Sequence, residues 1–302
     1  MHLLMKFRNW LFSFYLNNSN WECLYYNPPM KLRDWIDIKK LNWNALSSNI
    51  NAYELLKNNK NKINWQYLSH NRNPNIFTIL KDNQHKIEWK YLSINPNAIE
   101  LLKKNKDKID WENLSRNINA IELLGDNLDK IDWDELSFNP NAIKLLKENQ
   151  DLINWDYLSS NENALEILKE NPDLINWNYL SENENENAIE FLKKNPDNID
   201  WESLSYNYAG IELLKENQDL IEWKYLSFNK NAIELLKENQ DKIDYYEFSR
   251  NPSIFIYDYE KMKSNFQELK EEIIAKALHP KRIFRLIEEY GETVIYNNYF
   301  DE

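Results

Sequence analysis

The sequence predicts an all-α protein: an α-solenoid of about ten short two-helix repeats with helical N- and C-terminal caps. Three observations lead there: a 22-residue period in tryptophan, two helix signals inside each period, and a set of apolar residues in each period that a unit of 22 residues cannot bury by itself. Trp43, Trp65, Trp89, Trp111, Trp133, Trp155, Trp177, Trp201 and Trp223 recur every 22 residues, except for two steps of 24, and Tyr245 holds the next position. Trp21 stands 22 before Trp43 and starts a degenerate copy, with Leu24, Asn27 and Pro28 in register. A fixed period of this length marks a tandem array. Its consensus is Trp-x-x-Leu-Ser-x-Asn-Pro-Asn-Ala-Ile-Glu-Leu-Leu-Lys-x-Asn-x-Asp-Lys-Ile-Asp.

Residues 1–41 are read as an N-terminal cap that includes the degenerate copy. The apolar run 10–16 within it is short and is followed by Asn17, Asn18, Ser19 and Asn20 instead of a small-residue cleavage site, which argues against a secretory leader. Residues 42–252 form the array. In eight of the ten units an Asn or Asp (Asn42, Asn64, Asp110, Asp132, Asn154, Asn176, Asp200 or Asp244) precedes the Trp, or the Tyr in its place, and caps a short helix. A second helix follows an Asn-Pro step such as Asn95–Pro96 or Asn139–Pro140, where the missing N–H of proline costs nothing. Ala98, Ile99, Leu101 and Leu102 give it an apolar stripe, and Glu100 and Lys103 pair on the wet side.

Nine asparagines (Asn59, Asn83, Asn105, Asn127, Asn149, Asn171, Asn195, Asn217 and Asn239) stand where the second helices stop. Asn tolerates the left-handed conformation that ends helices, so these residues are expected to replace the glycines the chain lacks. The two extra residues, near Arg72 and Asn73 and near Glu184 and Asn185, fall between short and long helix. A connection lengthens there at little cost. Stacked units of this size predict a rod or superhelix on the order of 90 Å long. Residues 253–302 break the pattern and are read as C-terminal capping helices, one over 266–278 and one from Lys281 to a stop at Gly291.

Composition removes several function classes. Three glycines, Gly125, Gly210 and Gly291, stand too far apart for a phosphate-binding loop or a dinucleotide fingerprint. One cysteine allows neither an internal disulfide framework nor a thiolate zinc cluster, and fits a reducing, intracellular setting. A net charge of −12 argues against non-specific binding to nucleic acid. No apolar stretch is long enough to span a bilayer.

The Trp-x-x-Leu-Ser-x-Asn-Pro-Asn-Ala-Ile unit, with His279, Pro280, Arg282 and Ile283 after the array, resembles tandem repeat proteins of large DNA viruses of amoebae and algae. The resemblance covers about 21–291. It implies a viral protein acting in the host cytoplasm or the virion, and it transfers no catalytic residue. The Leu-Ser-x-Asn-Pro-Asn-Ala core is also similar to the leucine-rich variant repeat, which alternates an α-helix with a short 3₁₀-type helix.

No residue set reads as catalytic, metal-ligating or cofactor-binding. His2, His70, His85 and His279 are scattered, and Cys23 has no partner motif. The ten repeat serines, Ser47 to Ser249, serve the fold, since a catalytic residue is needed once and not in every unit. The nine repeat tryptophans are read as repeat core, not as a base-stacking platform. Tyr67, Tyr91, Tyr157, Tyr179 and Tyr225 are read as stacking between repeats.

The functional signal is where the repeats disagree. The residue after the repeat serine is Ser48, His70, Ile94, Arg116, Phe138, Ser160, Glu182, Tyr206, Phe228 or Arg250. A position open to all these types is expected to trace one exposed face. Ile94, Arg116, Phe138, Tyr206, Phe228 and Arg250 are its candidate protein-binding residues, being rich in the types that anchor interfaces. The expected function is a non-catalytic protein-interaction module with a protein partner. The alternatives are a scaffold component of a virion or other assembly, and an adaptor that recruits a host factor through its C-terminal segment.

Overall fold

A computed structural model of the chain describes residues 28–264, 271, 279–292 and 295. The expectations for Trp21, Cys23, His2 and the apolar start lie outside the described residues, as does nearly all of the expected helix over 266–278. The described chain is a regular series of short helices with almost no strand, so the all-α repeat class holds. It divides into two compact units, residues 32–256 and residues 1–31 with 257–302. The first unit contains the array; in the second, a helix over Pro280–Tyr290 ends at Gly291, whose φ of 86° suits a residue without a Cβ.

The fourth repeat shows why the sequence folds locally as it does. Asp110 accepts a hydrogen bond from the Asn113 N–H and caps the short helix Trp111–Ser115. Leu114 and Ser115 at its end are fully buried. The chain turns through Asn117, and the second helix, Ile121–Gly125, returns Leu123 and Leu124 to the same core. A one-turn 3₁₀ helix, Leu128–Lys130, then leads to the next cap. This third element, repeated through the array, is absent from the two-helix reading. The expected surface pair is present: Lys103 lies 3.6 Å from Glu100.

The terminating asparagines work differently from expectation. Among the described residues no non-glycine residue has a positive φ; the nine asparagines sit at φ between −123° and −141°. Each turns its side-chain amide back onto the carbonyl four residues earlier, as Asn105 does to Leu101 and Asn217 to Leu213 at 2.9 and 2.8 Å. A side-chain donor thus satisfies a carbonyl left without a partner at the helix end. No left-handed residue is needed.

Repeats are joined by three ladders of hydrogen bonds. The buried Asn after each variable position donates both amide hydrogens to the preceding repeat: Asn117 reaches the carbonyls of Ser93 and Asn95 at 2.8 and 2.9 Å. Its own side-chain oxygen accepts from the Asn119 N–H. The repeat serine donates to the tryptophan carbonyl of its own helix and accepts the backbone N–H of the next cap, as Ser93 does from Asp110 at 3.0 Å. A second, exposed asparagine adds a third bond, Asn119 to the Pro96 carbonyl.

All three kinds of bond recur where the first repeat meets the tenth. Asn49 of the first repeat donates to the carbonyls of Ser249 and Asn251 in the tenth, each at 2.9 Å. The Asn42 N–H reaches the Ser249 hydroxyl at 2.7 Å, and Asn51 reaches the Pro252 carbonyl. The short helices Trp43–Leu46 and Tyr245–Arg250 pack side by side as neighbouring repeats do. The Arg33 side chain and N–H bond to the carbonyls of Ser253 and Ile254, and two three-residue strands, β1 (Met30–Leu32) and β2 (Phe255–Tyr257), pair.

The array is therefore a ring of ten repeats, not a rod. The face that the Trp21 copy would use to stack on the first repeat is taken by the tenth. The compact unit that holds the array spans residues 32–256.

The tryptophans are half-buried, and the fully buried core is the leucine set: Leu68, Leu92, Leu114, Leu136 and their equivalents, with Phe248 closing the series. Five Trp rings are covered by the ammonium of a lysine near the end of the same repeat, at 4.1 to 4.6 Å from the ring centre; Lys62 over Trp43 and Lys130 over Trp111 are examples. Lys40 over Tyr245 repeats this contact where the ring closes. Each such pair contributes about 0.5–1 kcal/mol.

Replacing Asn117 with Leu should cost about 3 kcal/mol or more, because two buried carbonyls lose their donor. Asn119→Ala, at the exposed ladder, should cost under about 1 kcal/mol. Urea denaturation of both variants checks the ranking.

Candidate functional site

The variable position lies at the end of each short helix, on the side away from the buried leucine. Short helices pack against short helices around the ring, and each longer helix packs on its own repeat. That arrangement puts the short helices on the inner wall. At a packing distance of about 9 Å, ten of them place their axes on a circle of radius on the order of 14 Å.

Electrostatics across the ring confirm the direction. Arg116 of the fourth repeat acts on Glu182 and Tyr179 of the seventh, and on His70 of the second. Arg72 and Glu184, in repeats on opposite sides of the circle, also feel each other. Side chains pointing outward would be too far apart for this.

The candidate face is thus a closed inner line, and its members are half-buried instead of exposed. Ser160 is buried outright. Neighbours engage one another: Arg116 lies over the Phe138 ring at 4.2 Å and pairs with Glu135 at 3.1 Å. Tyr206 and Phe228 stack 4.5 Å apart and 7° from parallel. Arg250 covers the other side of Phe228 at 4.9 Å and pairs with Glu247. Ile94 lies on the same inner line between His70 and Arg116. All six candidate residues therefore belong to one surface, but it curves around an axis.

Two groups on this surface have displaced acidities. Burial, followed by the charges of Arg72, Arg250 and Arg116, lowers the His70 pKa to about 4. His70 is neutral at pH 7. Burial raises the Glu184 pKa to about 7, reinforced by Glu162 and opposed by Lys230 and Arg72. Burial also raises Glu182 and Glu135; Arg116 opposes both shifts. The sequence places His70 on the variable line and Glu184 in a lengthened connection; the burial that displaces both acidities most comes from the closed array and is not legible at either position.

The tyrosines at the start of the short helices meet across repeats, Tyr157 edge-on to Tyr179 and Tyr67 bonded to Tyr246 through their hydroxyls at 2.7 Å. Among the described residues no three His, Cys, Asp or Glu side chains gather as a metal site, and no helix is long and apolar enough to cross a membrane.

Opposite pH dependences follow. His70 has a folded pKa below its unfolded value of 6.5, so its contribution is complete above pH 6.5 and lost as pH falls toward 4. Glu184 has a folded pKa above its unfolded value of 4.5, so its contribution is complete below pH 4.5 and lost as pH rises through about 7. Between these limits the two effects oppose each other. Glu184→Gln should expose a loss of stability from pH 6.5 down to 4 and raise stability at pH 8.5, whereas His70→Gln should leave a protein that weakens as pH rises from 4.5 to 7. Denaturant midpoints of the two variants at four pH values test this. Comparison of the chain with protein-family models, curated proteins and solved structures found no match.

Proposed function

We propose that this chain is a non-catalytic protein-interaction module whose binding surface is the inner face of its repeat ring. One observation carries the reading: the position at which the ten repeats disagree is the one that lines the ring, while the residues that build the ring recur. Structural ladders demand Asn, Ser and Leu at fixed places; the inner line obeys no such demand and mixes aromatic, Arg and acidic side chains of the kinds that anchor interfaces. A ring of this radius fits a narrow partner, such as an extended segment or a projecting loop of another protein.

The repeats themselves supply neutral test substitutions. Arg and Glu already occupy this position in the fourth, seventh and tenth repeats, so Ser48→Arg and Ile94→Glu should change stability by under about 1 kcal/mol. Affinity capture from the cells that make the protein, followed by mass spectrometry, should recover a partner with the parent chain and lose it with the double variant. Glu100→Ala with Lys103→Ala, on an outer helix, should leave capture unchanged. Equal capture by the parent and the inner-face variant overturns the reading.

A further inference from the structure

Nine of the ten junctions between repeats are crossed by the chain itself. The tenth, between the first and last repeats, is held only by non-covalent contacts; its buried Asn and Ser bonds are those of every other junction, and its lysine-over-ring contact is that of five others. Asn49 replaces the Asn117 type of bridge, the Ser249 hydroxyl takes the Asn42 N–H as Ser93 takes that of Asp110, and Lys40 covers Tyr245 as Lys130 covers Trp111. Each copy of the chain therefore carries two faces that fit each other head to tail. Nothing in that fit requires both faces to belong to one molecule.

We propose that this seam is also a docking surface for a second copy of the chain. An opened ring presents its first-repeat face to the tenth-repeat face of another copy, with the Asn49 amide bridging the partner's carbonyls as it bridges its own when closed. Within one chain the two faces are tethered, and a tether sets an effective concentration that favours closure in dilute solution. Contacts outside the repeat pattern add to it: Arg33 on the Ser253 carbonyl at 2.8 Å and Trp35 against Phe248, 5.8 Å between centres. Because the contact is head to tail, copies joined in this way continue as a chain unless they close on themselves.

Two variants test the proposal without any other partner. Asn49→Leu damages the first-repeat face and leaves the tenth intact; Ser249→Leu puts a bulky side chain where Asn42 must approach and leaves the first intact. Each alone should run as a monomer of 36.7 kDa by light scattering, and an equimolar mixture should give a species of twice that mass. If both variants keep their helical circular dichroism and the mixture stays monomeric at concentrations approaching millimolar, the proposal fails. Should either variant lose its fold, the parent protein is refolded from denaturant at low and high concentration. A dimer that grows with concentration supports the seam as a docking surface, and a monomer throughout overturns it.

Discussion

The whole array depends on one polar contact, a buried asparagine amide that bridges two carbonyls of the preceding repeat. Helix ends leave carbonyls without intrahelical partners, and a buried carbonyl without a donor costs on the order of 1–3 kcal/mol. Short helices make the problem acute, because helices of four to six residues are mostly ends. The Asn ladder answers it with one side chain per repeat, using both amide hydrogens across the junction and the oxygen within the next turn. Leucine burial supplies the bulk of the stabilisation; the ladder decides which neighbour each repeat takes and at what offset.

Curvature follows from unequal widths. The inner layer has short helices in mutual contact, while the outer layer has longer helices that pack on their own repeats. A constant rotation at each junction then carries ten repeats through a full turn. The sequence predicts a rod or superhelix; ten repeats that complete one turn rotate by about 36° at each junction, and a few degrees more or less would open the ring into a coil. Nothing in a single unit records that angle.

What the sequence made legible is whatever a repeat does by itself or with the next one. The caps at Asn42, Asp110 and Asp244, the Asn95–Pro96 helix start and the Glu100–Lys103 pair all lie where the residues indicate. The tryptophans are less buried than a core reading implies, because large aromatic residues at a fixed period suit an outer shelf under a lysine as well as a core. The helix-ending asparagines depart from expectation for a related reason: Asn is good both at left-handed backbone and at donating to a nearby carbonyl, and the sequence pattern is the same for both. For the candidate site, the membership of the inner line was legible and its concavity was not. One clue to closure was present in the residues: the first and tenth repeats keep Asn49, Ser249 and Asn251, where a terminal repeat of an open array would turn polar and irregular.

The two lengthened repeats are the second and the seventh, so they stand half a circle apart, and Trp65 and Trp177 start equivalent arcs of five repeats each. The backbone thus approximates a two-fold axis through the ring. The side chains break it: Arg72 on one long loop corresponds to Glu184 on the other, and the two act on each other across the opening. Above about pH 7, where Glu184 is ionised, opposite charges at symmetric places make a dipole that lies across the ring instead of along its axis. A polar segment lying across that opening has one favoured orientation and one disfavoured, even though the scaffold around it looks the same after half a turn.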